Sequence, residues 1–225
     1  MFIRPGPGGG VNIGNMTLKE MIALAWRVMP FQISGGPAWL DTLHYDVIAK
    51  PEAKPQQTQI PLMIQALLAD RFQLLLHRGT KALPVYALVM ARKDGKPGSG
   101  LTEPNPANCR QRDPPVLPCI DMTLGPVGLT AANMPVRDLA PALSRLLGRT
   151  VVDKTGLTQR FDMKAEWTAD ETLGQPPPGA ATPAASLATA SIFTAFQEQL
   201  GLKLEAQRGM VEMLIIDRAE KPSEN

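Results

Sequence analysis

Residues 10–29 read GVNIGNMTLKEMIALAWRVM, and residues 128–147 read GLTAANMPVRDLAPALSRLL. Laid side by side at an offset of 118, the two stretches match in residue type along their length. Asn15-Met16 falls on Asn133-Met134, Lys19-Glu20 on Arg137-Asp138, and Arg27 on Arg145. The apolar set Leu18, Met21, Ile22, Ala25, Val28, Met29 falls on Val136, Leu139, Ala140, Leu143, Leu146, Leu147. Apolar positions three and four apart form the buried stripe of an amphipathic helix. Thr17 precedes Glu20 by three, a capping-box pattern that starts the first helix. Pro135 sits in the first turn of the second, where a missing N–H costs nothing.

The correspondence continues outward at an offset of 116. Tyr45-Asp46-Val47-Ile48-Ala49 falls on Phe161-Asp162-Met163-Lys164-Ala165, and both alternate as strands do. A second helix follows each strand, over Leu62–Arg71 and over Ile192–Leu200, the latter capped by Ser191 and stopped by Gly201. Two strands are expected to close each copy: Phe72–His77 with Val85–Ala91, and Leu202–Gln207 with Val211–Asp217. In the last of these, Leu214 and Ile216 are apolar as well as Val211, Met213 and Ile215, so it should be a central strand or one covered on both sides. Early strands are expected at Gly10–Ile13 and Gly128–Ala131, and weak ones near Phe31–Ser34 and Thr150–Asp153. The expected fold class is therefore α+β, with two tandem β-α-β-β-α-β-β repeats.

Proline and glycine, 22 and 19 in a chain of 225 residues, gather in a few stretches that read as loops. The expected organisation is a first repeat over 1–92, a Pro-rich linker over 93–122, and a second repeat over 123–225. Within the last, residues 169–190 carry Pro176-Pro177-Pro178 and read as a disordered insertion. Cys109 and Cys119 lie in the linker. Ten positions apart in a loop, they can meet, and a bridge would stabilise the chain by roughly 2–3 kcal/mol; two free thiols are the alternative. The formal net charge of +2, with no Lys/Arg run, gives no footprint for nucleic acid. No segment reaches the roughly 18 apolar residues of a membrane span. MFIRPGPGGG, residues 1–10, has no apolar region of the kind a signal peptide carries, and its Gly-rich part, residues 6–10, reads as a flexible lead into the first strand.

Few residues invite chemistry. His44 and His77 have no Cys, Asp or Glu at metal-ligand spacing and read as surface residues. Ser34, in Ile33-Ser34-Gly35-Gly36-Pro37, lacks the nucleophile-elbow pattern and reads as part of a turn. Gly6-Pro7-Gly8-Gly9-Gly10 has no following Lys-Ser/Thr and is no phosphate loop. Asp162 and Glu166 flank Lys164 and read as a solvated sheet face. Asp41 and Asp46 form another carboxylate pair. Trp39 and Tyr45 are candidate partner contacts; packing in the core is the competing role for Trp39. No catalytic residue, metal site or cofactor site is expected.

Several stretches together resemble one family. Asn15-Met16-Thr17-Leu18, Ile33 to Asp41 (ISGGPAWLD), Tyr45 to Lys50 (YDVIAK) and Ala66 to Phe72 (ALLADRF) carry the resemblance in the first half. Leu83 to Leu88 (LPVYAL), Val151 to Thr158 (VVDKTGLT), Phe196 to Leu204 (FQEQLGLKL) and Ile215 to Pro222 (IIDRAEKP) extend it across nearly the whole chain. These are similar to DUF3738, a soil-associated acidobacterial family of unknown function. The resemblance implies export: members begin with a signal peptide and one further strand, neither of which is read at this N-terminus. Some relatives place the module behind a membrane peptidase, which implies sensing or binding outside the cytoplasm. The repeat order also resembles the short N-terminal domains of secretins and TonB-dependent receptors, a likeness of fold alone. The expected function is an extracytoplasmic binding or interaction module, periplasmic or secreted, with a protein or envelope component as partner. The alternative is an envelope-acting hydrolase that uses surface carboxylates such as Asp41 and Asp46 as acid and base.

Overall fold

Thr17 opens the first helix as its spacing to Glu20 predicts. Its hydroxyl accepts the Glu20 N–H at 3.2 Å, and the Glu20 carboxylate accepts the Thr17 N–H at 2.8 Å. Such a cap stabilises a helix by about 1 kcal/mol. The computed structural model describes residues 2–6, 10–49, 59–108, 121–168 and 191–222. Its elements begin with β1 (Phe2–Pro5), β2 (Val11–Thr17), α1 (Leu18–Trp26), β3 (Ile33–Gly35), β4 (His44–Ala49), α2 (Ile60–Arg71) and β5 (Leu75–Met90). They continue with β6 (Leu101–Thr102), β7 (Asp121–Gly125), β8 (Gly128–Pro135), α3 (Leu139–Leu147), β9 (Val151–Asp153) and β10 (Arg160–Glu166). The last are α4 (Ile192–Ala195), which runs on as a π-helical turn over Phe196–Leu200, and β11 (Leu202–Arg218). Ser191 caps α4 through the Thr194 N–H at 3.3 Å, and Gly201, at φ 69°, ends the turn.

The chain is a mixed α+β protein of two compact units that interleave along the sequence instead of occupying the contiguous spans 1–92 and 123–225. The first unit is Met1–Lys81 with Met210–Asn225, and the second is Ala82–Gly209. Each has its own apolar core. In the first, Leu18, Met21, Ile22 and Ala25 of α1 pack with Val11, Ile13 and Met16 of β2, with Ile64 and Leu68 of α2, and with Leu214 and Ile216. In the second, Leu139 and Leu143 of α3 pack with Leu129, Met163, Ala165, Trp167, Phe196, Leu200 and Leu101. Each fully buried side chain of this size contributes roughly 1.5–3 kcal/mol.

The interleaving corrects the expected strand pairs. Phe72–His77 and Val85–Ala91 are not two separate strands; Leu75–Met90 is one continuous strand, and so is Leu202–Arg218. β5 gives residues 75–81 to the first unit and 82–90 to the second, and β11 does the reverse. Strands of 16 and 17 residues are long against the usual 3–10. Gly79-Thr80 and Gly209-Met210 would each suit a type II′ turn. The two glycines there serve close approach instead. A Cβ on Gly79 would lie 2.7 Å from Ile215 Cδ1, and one on Gly209 would lie 3.0 Å from Val85 Cγ2. In the first unit the strand order is β3-β11-β5, with β3 parallel to β11; in the second it is β11-β5-β9, with β9 parallel to β5. β11 is thus a central strand in the first unit, as its two apolar faces require.

The other sheets are β1-β2-β4 in the first unit and β6-β10-β8-β7 in the second. β1 is a strand that the sequence pattern did not mark: Phe2–Pro5 pairs antiparallel with β2, Ile3 opposite Ile13. β6 corrects the reading of residues 93–122 as a separating linker. Leu101 lies opposite Met163 of β10 and is 4 % exposed, inside the core of the second unit. Two glycines admit this short strand. A Cβ on Gly100 would collide with the Lys164 carbonyl oxygen, and one on Gly98 with the Gln199 carbonyl oxygen. Backbone atoms cannot move aside cheaply, so Gly100→Ala is expected to cost about 1–3 kcal/mol in urea denaturation. Gly125→Ala, where a Cβ meets nothing within 4 Å, should change stability by less than about 0.5 kcal/mol.

Candidate functional site

Asn15 and Asn133 both hold a left-handed backbone, with φ 54° and 51°. Asparagine tolerates that region better than most residues. Each sits at a bulge. On β2 and β4, Ile13 opposes Val47 and Met16 opposes Tyr45, so Gly14 and Asn15 together face Asp46. On β8 and β10, Ala131 opposes Met163 and Met134 opposes Phe161, so Ala132 and Asn133 face Asp162. A bulge leaves a backbone donor outside the ladder. The facing carboxylate takes it: Asn15 N–H donates to Asp46 Oδ1 at 2.9 Å, and Asn133 N–H donates to Asp162 Oδ1 at 2.8 Å. This is the physical content of the recurring Asn-Met and aromatic-Asp pairs.

The second carboxylate oxygen separates the two places. Asp162 Oδ2 accepts the Asn105 N–H at 2.8 Å and the Asn108 side-chain amide at 2.7 Å. Asp162 is 6 % exposed, which corrects its assignment to a solvated sheet face; only Lys164 and Glu166, paired at 3.1 Å, lie in solvent. The sequence pattern missed this because Asn105 and Asn108 arrive from the stretch expected to be linker. Burial pushes the Asp162 carboxyl up, but the Asn105 and Asn133 N–H bonds and the Asn108 amide outweigh it and hold the group below the usual carboxylate range. Asp46 has the Asn15 N–H as its one partner among the described residues.

Beside Asp46 lies a cleft of about 250 Å³. Its walls are Tyr45, Val47 and Ile48 of β4, Leu67 and Arg71 of α2, and Phe72, with Pro222 at one side. The Tyr45 ring meets Phe72 edge-on, centroids 5.0 Å apart. Its hydroxyl is buried without a hydrogen-bond partner, and burial raises its pKa. Ile48 is 71 % exposed. No described strand covers the outer side of β4. An edge without a described strand, an exposed aliphatic side chain and an unpartnered buried hydroxyl converge here; in the second unit Trp167 Nε1 is likewise buried without a partner, beside Val127, which is 57 % exposed.

The other candidate residues are dispersed. Asp41 pairs with Lys19 at 3.0 Å while Asp46 holds Asn15, so the two carboxylates are engaged separately. His77 Nδ1 pairs with Asp217 at 2.9 Å on an exposed face, and His44 Nδ1 lies 3.2 Å from the Thr42 carbonyl. Ser34 belongs to β3, parallel to β11, and the turn follows it at Gly35 and Gly36, φ 82° and 75°. Trp39 is half-buried against the first core; Trp167 is buried against Phe196 in the second. Cys109, Cys119 and the stretch 169–190 lie outside the described residues. No group of three His, Cys, Asp or Glu among the described residues has the geometry of a metal site. No described helix is long and apolar enough to cross a membrane.

A family model described as a protein of unknown function, DUF3738, matches residues 19–219. No curated protein and no solved structure matches the chain.

The depressed carboxyl of Asp162 makes a pH prediction. A group whose folded pKa lies below its unfolded value of about 3.9 contributes stability that is fully present above that value. That contribution is lost as pH falls through the folded pKa. Between pH 5 and 2 the wild type should therefore lose more stability in urea titrations than Asp162→Asn does. At pH 7, Asp162→Ala should cost about 2–4 kcal/mol, because buried donors lose a charged acceptor. Asp46→Ala should cost about 1 kcal/mol or less, its bond being exposed to water.

Proposed function

We infer that this chain, which belongs to the DUF3738 family of unknown function, is a binding module that holds a partner at its first unit. The observation that carries this is the cleft beside β4, where the buried Tyr45 hydroxyl has no partner and Ile48 stands in solvent. A buried hydroxyl without a partner costs about 1–3 kcal/mol, and an occupant that reaches it recovers part of that cost. Small apolar clefts with a few polar groups are ordinary binding sites. Of the two residues expected to touch a partner, Tyr45 lines the cleft and Trp39 packs against the first core.

The finer parts of the proposal rest on resemblance. We propose that the module works in the periplasm or outside the cell, as the export of soil-associated acidobacterial relatives implies, with a protein or envelope component as its partner. We propose further that the chain arose by duplication of one α/β unit related to the short N-terminal domains of secretins and TonB-dependent receptors. Support comes from the shared element order β2-α1-β3-β4-α2-β5 and β8-α3-β9-β10-α4-β11, and from the aspartate-held bulge in each.

A photo-reactive amino acid in place of Ile48 tests the binding function. With envelope extract of the source cells it should give a light-dependent adduct. The same group in place of Met210, which is also exposed, should give none. Equal adducts at both positions, or none at either, would remove the cleft as a binding site. Cell fractionation tests the compartment: recovery of the chain with the cytosol alone would overturn export.

A further inference from the structure

The second unit contains an occupied counterpart of the open cleft. Phe161-Asp162-Met163-Lys164 of β10 stand where Tyr45-Asp46-Val47-Ile48 of β4 stand, on the evidence of the two bulges and their registers. The outer side of β10 is covered by the chain's own segment Gly98-Ser99-Gly100-Leu101-Thr102. Gly98 N–H donates to the Leu200 carbonyl at 2.8 Å, Gly100 N–H donates to the Gln199 carbonyl at 2.7 Å, and Lys164 N–H donates to the Gly100 carbonyl at 2.8 Å. The segment thus lies in a slot between a sheet edge and the last carbonyls of a helix, groups that otherwise lack partners. Leu101 enters the core, and Asn105 and Asn108 close over Asp162 Oδ2.

The first unit has the same slot between β4 and the end of α2. Gln73, at φ 47°, follows α2 as Gly201 follows the π-helical turn, so Phe72 stands in the place of Leu200 and Arg71 in that of Gln199. Glu220 N–H donates to the Phe72 carbonyl at 2.7 Å, as Gly98 does to Leu200. The slot's entrance is thereby taken by Ala219–Pro222. The space beyond it, where Leu101-Thr102 lie in the second unit, is the 250 Å³ cleft, with Pro222 in its wall. Its volume suits one aliphatic side chain with its backbone rather than a large ligand.

We propose that this slot accepts one extended segment of a partner polypeptide, added as a strand to the outer edge of β4. The inference rests on the binding function proposed above and names its partner class. Main-chain hydrogen bonds to the edge supply affinity, and one side-chain pocket supplies selectivity, as in other strand-addition sites. The segment carries a leucine-like side chain for the pocket of Tyr45, Leu67 and Phe72. A donor four to seven residues later reaches Asp46 Oδ2, in the manner of Asn105 and Asn108.

The second unit's own strand supplies the probe: a labelled peptide of sequence KPGSGLTEP, that of residues 96–104, titrated into the full chain with amide NMR detection. Saturable shifts at residues 45–48 and at Phe72 are expected. Replacing the peptide's leucine with aspartate should weaken binding by about tenfold or more, as should Ile48→Pro, which removes an edge donor. Ile48→Thr, which keeps the N–H, should bind within about threefold of wild type and guards against misfolding. No saturable binding would overturn the proposal. So would shifts confined to residues 161–164, which would mean displacement of the native strand. Equal binding by the aspartate peptide would overturn it as well. Should the photo-adduct at position 48 persist in envelope extract while this peptide fails, the binding function stands and strand addition falls.

Discussion

The aspartate-held bulge is the constraint on which the rest of each unit turns. A side-chain period of two means that a slip of one residue would move every core side chain of β2 or β8 to the solvent face. The bulge pins that register. Its cost is an asparagine forced into left-handed backbone and an N–H with no ladder partner, and the facing carboxylate offsets both. Ile13 and Met16 then reach one core, and Ala131 and Met134 the other. The helices that follow inherit their placement, because Thr17 ends β2 and caps α1 at once.

From that shared device the two units diverge, and the divergence lies at the second carboxylate oxygen. In the second unit Asn105 and Asn108 occupy it, β6 lies on β10, and Leu101 completes the core. In the first unit no described strand lies on the same edge, beside Tyr45 and Ile48. An edge strand with an exposed aliphatic side chain is ordinarily a liability that proteins blunt with charge or cover. The second unit covers its edge with its own backbone. The first keeps Asp46 and Arg71 at the rim and a cleft between them. That one chain contains both arrangements is what gives the open one a meaning.

Much of this was legible in local pattern. The stripes of α1 and α3 are the buried faces, Thr17, Ser191 and Gly201 begin and end their helices, and β3 and β9 lie where weak strands were expected. Of the two candidate contacts, Tyr45 lines the cleft and Trp39 packs against the first core. Asp162 was misjudged. Beside Lys164 and Glu166 it reads as one more surface charge, and its burial depends on two asparagines more than fifty residues earlier.

The amino-acid sequence alone determined where most helices and strands lie and which of their faces are apolar. Those properties are set by neighbours three or four positions apart on a helix and two on a strand, distances that a chain carries within itself. Only the tertiary structure decided what β5 and β11 do. An alternating pattern interrupted by glycine reads equally as a hairpin or as one long strand. The choice was made by Ile215 against Gly79 and Val85 against Gly209, contacts between residues over a hundred positions apart. The same holds for the slot: whether an edge is covered depends on a segment arriving from elsewhere, which no local period records.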